Sequence, residues 1–299
     1  MKSAKTIYIV DDDEDDRMLM REAIESAVKE VNIIEVIDGK QLIELIEQQN
    51  ILLHSEPTLI MLDMNMPRMS GLESLLILRN NQKIRHIPII MLSTTSNQQL
   101  ILEAYKLGIK AFITKPSSIN EYSVIAEAIN VCFLNNDPSS AISISNSRAS
   151  NHSVLIIEDN SDHWELMNSS LKKSAPTARV TRVPGLVSAM EFLTTELLHT
   201  LKTPDLILLD LYIPSRLSGL TALNMIREFC LTKGLPAIPI VMLSSSRDSD
   251  DIDICYRNEA NAYMVKSHDL QKSFSYLQNL FHFWWHTNTL PGKFRKSNN

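Results

Sequence analysis

Carboxylates, a hydroxyl and an ammonium recur at matched spacings in the two halves of this 299-residue chain, and together they could handle a phosphoryl group. In the first half, IYIV ends in Asp11 and Asp12, LIML in Asp63, IIML in Ser93, and AFIT in Lys115. In the second, VLII ends in Glu158 and Asp159, LILL in Asp210, IVML in Ser244, and AYMV in Lys266. Asp12 to Asp63 and Asp159 to Asp210 both span 51 residues, and Ser93 to Lys115 and Ser244 to Lys266 both span 22. Only the middle segment differs, 30 residues from Asp63 to Ser93 against 34 from Asp210 to Ser244. Three acids gathered in one cleft either raise their pKa values or recruit a cation. Mg²⁺ suits such a set, because it prefers hard oxygen ligands and commonly uses one or two carboxylates beside a phosphate. A lysine opposite neutralises phosphate and a serine hydroxyl donates to it, which leaves one carboxylate to attack phosphorus and form an aspartyl phosphate.

These residues need a scaffold that brings run ends together. The runs are apolar at nearly every position and alternate with amphipathic stretches such as Arg17 to Val28 and Asn97 to Leu107. That alternation predicts an α/β fold, a parallel sheet covered by helices on both faces, with five strands and five helices per copy. Ligands bind beyond the carboxyl ends of such strands, where all the polar residues above fall. The Ser- and Asn-rich stretch from 135 to 153 separates the copies and lacks periodicity. The expected layout is a first domain at 1–135, a linker at 136–152, a second domain at 153–287 and a flexible tail at 288–299.

Composition fits two soluble domains: 44% apolar and 21% charged residues support ordinary cores. No apolar run approaches the ~18 residues that span a bilayer, and the amino terminus reaches acidic sequence before a signal core forms. Cys132, Cys230 and Cys255 form no CxxC pair, which fits a reduced, cytoplasmic setting without membrane insertion. The net charge of −6 falls in the first half, and neither half carries a basic stripe, so direct nucleic-acid binding is not expected.

The four stations, met twice, resemble the receiver domains of two-component response regulators over nearly the whole chain. The resemblance implies two flavodoxin-like (βα)5 domains with strand order 2-1-3-4-5. It implies that Asp63 and Asp210 accept phosphoryl groups from a sensor histidine kinase or a histidine phosphotransfer protein. Asp12 and Asp159 would ligate Mg²⁺ directly beside the acceptors, Asp11 and Glu158 through water, and Asn65 and Tyr212 through backbone carbonyls. Ser93, Lys115, Ser244 and Lys266 would hold the phosphoryl oxygens. Phe112 and Tyr263 would turn inward on phosphorylation, with the fourth helix, fifth strand and fifth helix as the output face. The block RHIPIIMLSTTS and the ending with Phe281, Phe283, Trp284 and Trp285 look most like stand-alone receivers associated with bacterial phytochromes. No enzyme activity is implied beyond self-phosphorylation from a donor and autodephosphorylation.

The second copy departs from the first. Pro67 and Gly71 follow Asp63 by four and eight residues, but Pro214 and Gly219 follow Asp210 by four and nine, which alters the start of the third helix. The Lys115–Pro116 bond is expected to be cis, and Lys266 precedes Ser267 instead, which loosens the aim of Lys266. Tyr212 replaces Asn65 beside the path of attacking water, so slower hydrolysis is expected at Asp210 than at Asp63.

Simpler roles compete at several positions. Asp13 to Asp16 read as a solvated helix start. Phe112 and Tyr263 read almost equally well as packed core. His282 and His286, four apart beside tryptophans, read as packing or capping rather than metal ligands, and Met61, Met64, Met66 and Met69 carry no metal role. Two other functions remain in view. A phosphatase or phosphotransferase with an aspartyl nucleophile commonly needs a second carboxylate two residues on, where this chain has Asn65 and Tyr212. A non-phosphorylated interaction scaffold is the alternative, at least for the second domain.

Overall fold

Strand burial follows directly from the sequence, since runs such as Leu59–Asp63 and Leu206–Asp210 are buried at every position and so can only sit inside a sheet covered on both faces. In the computed structural model, residues 5–48, 58–134, 136, 152–200, 203–235, 238–267 and 269–291 are described. The linker, apart from Asn136 and His152, lies outside them.

The first half runs β1 (Lys5–Val10), α1 (Glu14–Ala27), β2 (Val31–Val36), α2 (Gly39–Gln48), β3 (Leu59–Asp63), α3 (Gly71–Asn80), β4 (Ile89–Ser93), α4 (Gln98–Lys106), β5 (Ala111–Thr114) and α5 (Ile119–Cys132). The second runs β6 (Ser153–Ile157), α6 (Ser161–Ser174), β7 (Arg179–Val183), α7 (Leu186–Thr200), β8 (Leu206–Asp210), α8 (Arg216–Thr232), β9 (Ile240–Ser244), α9 (Ser249–Arg257), β10 (Ala262–Val265) and α10 (Leu270–His282), followed by a π-helical turn at Phe283–Thr287. All pairings within the two sheets are parallel, in the orders β2-β1-β3-β4-β5 and β7-β6-β8-β9-β10. Both are the flavodoxin-like order expected.

Alternation along each strand sorts the cores. Tyr8, Val10, Ile60, Leu62 and Phe112 face α2, α3 and α4, and Leu155, Ile157, Ile207 and Leu209 face α7, α8 and α9. Ile7, Ile9, Leu59, Met61, Val154, Ile156 and Leu208 face the other way, into one apolar cluster that both halves share. Helices α5 and α10 meet there, with the rings of Phe133 and Phe283 edge to face at 5.8 Å. Helix α5 is buried continuously from Ile125 to Cys132, as expected of a helix with neighbours all round. Polar contacts cross the same boundary: Asn261 Nδ2 donates to the Lys110 carbonyl at 3.0 Å, and Tyr276 Oη to the Asn136 carbonyl at 3.1 Å.

Three expectations are corrected. The segment from 288 is not free at its start: Asn288 bridges Ile113 on the open edge of β5, its Oδ1 accepts from Phe112 N at 3.0 Å, and Thr289 N donates to the Phe112 carbonyl at 2.8 Å. Edge groups of β5 that would face water are thereby paired. The cis bond among the described residues is Ile213–Pro214, not Lys115–Pro116. Both lysines are instead aimed by strand register, with Lys115 N bonded to the Ser93 carbonyl at 2.9 Å and Lys266 N to the Ser244 carbonyl at 2.7 Å. Part of the face formed by α4, β5 and α5 is occupied from within the chain, because α5 and the edge of β5 lie against the second half.

Candidate functional site

At the carboxyl end of the first sheet the expected residues converge. Asp11 and Asp63 are buried, and Lys115 Nζ lies 2.8 Å from Asp11 and 3.3 Å from Asp63. Ser93 is fully buried, and its Oγ accepts from Asn65 Nδ2 and from Thr95 N, each at 3.1 Å. Asn65 N also donates to Asp63 Oδ1 at 3.3 Å, which orients the carboxylate. Gly71 lets α3 start against this loop, since a Cβ there would lie 2.2 Å from the Asp63 carbonyl oxygen. Arg17 Nη1 steadies the turn from below by donating to the Asp11 carbonyl at 2.7 Å.

Electrostatics at this pocket favour a cation. Burial, with repulsion from Asp63, pushes the Asp11 carboxyl up to about 6 against the opposing bond from Lys115. Burial also raises Asp63, although Lys115 pulls it down. Burial opposes the Lys115 charge too, but its bonds to Asp11 and Asp16 outweigh that and hold its pKa above the ordinary lysine value. One ammonium therefore leaves two buried carboxyls under-compensated. Oxygens of Asp11, Asp12 and exposed Asp12's neighbour across the cleft, Asp63, lie within 4.8 Å of one another, a hard-oxygen set that fits Mg²⁺.

Asp16 is a correction. It does not merely start a helix: its carboxylate accepts from Lys115 Nζ at 2.9 Å and from Tyr122 Oη at 2.7 Å. Those two bonds outweigh its burial and lower its pKa. The available signal was its position one helical turn after Asp12, which turns it back toward the same strand ends. Asp13 does behave as a helix start, capping α1 through Asp15 N and Asp16 N.

The second pocket is built differently. Lys266 Nζ lies 2.5 Å from Glu158 and 2.8 Å from Asp210, so its aim matches that of Lys115 without a following proline. Asp210 Oδ1 accepts from Tyr212 N at 3.1 Å, and Ser244 Oγ, fully buried, from Ser246 N at 3.1 Å. His163 stands where the first half has Asp16, and its Nδ1 lies 3.2 Å from Lys266 Nζ and 3.6 Å from Glu158. The group with metal-ligating atoms within 4.8 Å is Glu158, His163 and Asp210, while Asp159 is exposed and outside it. Tyr212 turns its hydroxyl to Asp251 at 2.9 Å on α9 and is 42% exposed. The extra residue after Asp210 is absorbed by starting the helix early: Ser215 caps α8 at Arg216, while Gly219 passes close to the Leu211 carbonyl as Gly71 does to that of Asp63.

Phe112 and Tyr263 are both fully buried, and the Tyr263 hydroxyl donates to the Ser246 carbonyl at 3.0 Å. His282 and His286 pack near each other at 5.4 Å between rings, and Trp285 stacks between Phe281 and His152, each at 4.4 Å.

The sequence pattern of the response regulator receiver domain matches residues 7–127 and 154–278. The chain belongs to the response regulator receiver family. It is a tandem receiver, with one domain in each half. Response regulator Rcp1 of Synechocystis is 27% identical over 131 residues, covering 44% of this chain and 89% of that protein. A protein-glutamate methylesterase/protein-glutamine glutaminase of Methanococcoides burtonii is 41% identical over 117 residues, 37% of this chain and 31% of that one. Among solved structures, the phosphorylated cyanobacterial phytochrome response regulator RcpA is 29% identical, covering 42% of this chain and 91% of that one, with a TM-score of 0.40. Among the described residues no helix is long and apolar enough to cross a membrane.

Proposed function

We propose that this tandem receiver is a cytoplasmic response regulator that accepts phosphoryl groups on Asp63 and Asp210 and signals through protein contacts. Its receivers would be bounded at 1–135 and 153–287. The observation that carries the reading is the Lys115 ammonium held within 3.3 Å of Asp11, Asp16 and Asp63, with Ser93 bridged to Asp63 through Asn65. Mg²⁺, when bound, would neutralise the charge that builds on the transferring phosphoryl group. Asp11, Asp12, Asp63 and the Asn65 carbonyl are the ligands assigned to it in the first receiver, and Glu158, Asp159, Asp210 and the Tyr212 carbonyl in the second. Asp63 supplies the attacking oxygen as the donor's phosphorus–nitrogen bond breaks. Lys115 and Ser93 then bind phosphoryl oxygens, and a Lys115 that follows the phosphoryl group releases Asp16. A sensor histidine kinase or phosphotransfer protein is the donor proposed.

The second receiver also supports a scaffold reading, because Lys266 already pairs Glu158 with Asp210 and Asp159 stands outside their group. One experiment tests both readings. The full chain and its Asp63→Asn and Asp210→Asn variants are exposed to a small phosphodonor with Mg²⁺, and the modified residue is mapped by mass. Label on Asp63 supports a receiver, label on Asp63 alone makes the second domain a scaffold, and label on neither refutes the function. Where both are labelled, Tyr212 predicts slower loss from Asp210, and faster loss there would refute that role.

A further inference from the structure

Two exchanges separate the second pocket from the first. Four residues after Asp12 stands Asp16, and four after Asp159 stands His163; seven after Lys115 stands Tyr122, and seven after Lys266 stands Ser273. In the first receiver the Tyr122 hydroxyl seals Asp16, and only about 10 Å³ of space remains behind the site. In the second, the small Ser273 leaves a cavity of about 50 Å³ between α6 and α10, bordered by His163, Met167, Lys266, Ser267 and Tyr276. That is room for a few waters beside the imidazole.

From these exchanges we infer that the second pocket is a site for a borderline divalent ion of the zinc class, ligated by His163 Nδ1, Glu158 and Asp210. The inference rests on reading the pocket as a cation site and changes which cation it selects. An ammonium has no acceptor, so at the 3.2 Å contact with Lys266 Nζ the imidazole Nδ1 is the acceptor, its lone pair turned to the same ammonium that Glu158 and Asp210 hold. All three ligand atoms lie within 4.8 Å of one another. One imidazole with two carboxylates suits Zn²⁺ and its neighbours better than Mg²⁺, which favours an all-oxygen shell. Asp159, which would add a further hard oxygen, is outside the group. A divalent ion between Glu158 and Asp210 replaces the single positive charge of Lys266 with two. The ammonium then withdraws toward the cavity mouth, where Ser267 and Ser273 offer hydroxyls. Lys115 has no such retreat, because Tyr122 occupies the equivalent space and Asp16 holds the ammonium.

The test uses the full chain stripped with a chelator and titrated with Zn²⁺ under saturating Mg²⁺, read by competition with a chromophoric chelator. The expected result is one zinc ion per chain that Mg²⁺ does not displace. His163→Ala and Asp210→Asn should each weaken it at least about tenfold. Asp63→Asn and His286→Ala should leave it unchanged, the latter as a control for the histidines near Trp285. His163→Asp should also lose zinc, and with Co²⁺ the intact chain should show a nitrogen-ligated visible spectrum that this variant lacks. Zinc bound equally well by both His163 variants, or lost only in His286→Ala, would overturn the inference. A parallel titration with Mg²⁺ and beryllofluoride separates the readings: failure at both pockets beside a retained zinc site would sink phosphorylation and leave this inference standing.

Discussion

Replacing Asp11 by Asn should make the metal-free protein more stable while weakening its hold on Mg²⁺. In the folded chain Asp11 rises from an ordinary 3.8 to about 6, chiefly through burial, which corresponds to about 3 kcal/mol against the ionised form at neutral pH. Asn keeps the shape and removes the charge; the ion pair with Lys115 at 2.8 Å is already counted in that net shift, but the partial exposure of the cleft screens part of the gain. The Lys115 bonds to Asp16 and Asp63 survive, so a net gain of about 1–2 kcal/mol remains. The pH dependence follows from the direction of the shift. Because the folded pKa lies above the unfolded one, the native state binds more protons between about 4 and 6, and stability falls as pH rises through that window. The gain from Asp11→Asn is therefore full above about pH 6 and absent below about pH 4. Urea unfolding of the full chain with chelator, at pH 7.5 and at pH 4, measures it. Destabilisation at pH 7.5, or the same gain at both pH values, would refute the account of the pocket as under-compensated charge.

Other consequences can be measured on the same chain. Lys110 is buried between the receivers near Arg79 and Arg227, and burial first, then those guanidiniums, lower it to about 7. The unfolded chain holds that proton to higher pH, so stability should rise from about pH 7 to 10.5, and Lys110→Met should flatten the rise and stabilise by about 2–4 kcal/mol at pH 7; a loss of stability in thermal melts would contradict this. Asn288→Ala removes the 3.0 Å acceptor of Phe112 N and leaves that donor only the Tyr105 hydroxyl at 3.2 Å, so it should cost about 1 kcal/mol, with faster hydrogen exchange at Phe112 and no change in the second receiver. Gly219→Ala places a Cβ 2.1 Å from the Leu211 carbonyl oxygen and should cost about 3 kcal/mol or more, whereas Gly185→Ala, with open space at its Cβ, should cost under about 1 kcal/mol. Equal melting points for the two would remove the proposed close approach.

The sheets and the gathering of Asp11, Asp63, Ser93 and Lys115 were legible because each depends on a local rule: apolar runs become buried strands, and residues at run ends meet at one edge, whereas the strand order came from the resemblance to receiver domains. What stayed hidden depends on side chains that reach across elements. Asp16 and Tyr122 are 106 residues apart in sequence and meet only because α1 packs beside α5. His163 carries no mark in the sequence, because its place in the site depends on Lys266, 103 residues away at the end of β10. The pairing of Asn288 and Thr289 with β5 stayed hidden for a similar reason, since a short polar segment gives no periodic signal for pairing with a distant strand edge, and residues 292–299 lie outside the described residues. The continuous burial of α5 did have a signal, in the apolar residues around the whole circumference of Ile119–Cys132, which one sheet alone cannot cover.

That shared surface constrains how the first receiver can report its state. Lys115 sits at the end of β5, and three residues earlier Phe112 has both backbone groups tied to Asn288 and Thr289 of the segment that follows α10. Any shift of β5 that accompanies a change at Asp63 must either carry that segment along or break its bonds. The Tyr105 hydroxyl is part of the same knot, lying 2.8 Å from Asn288 Oδ1 and 3.1 Å from the Thr289 carbonyl. Coupling requires only that the tied and untied arrangements differ in free energy by the amount that a ligand at Asp63 can supply. Reciprocity then applies: whatever loosens α10 from α5 must alter affinity at Asp63 by the same factor. In a chain whose first α5 is closed off by its own second domain, the contact between the domains is the element through which phosphorylation at Asp63, as proposed, would be most directly felt by the second.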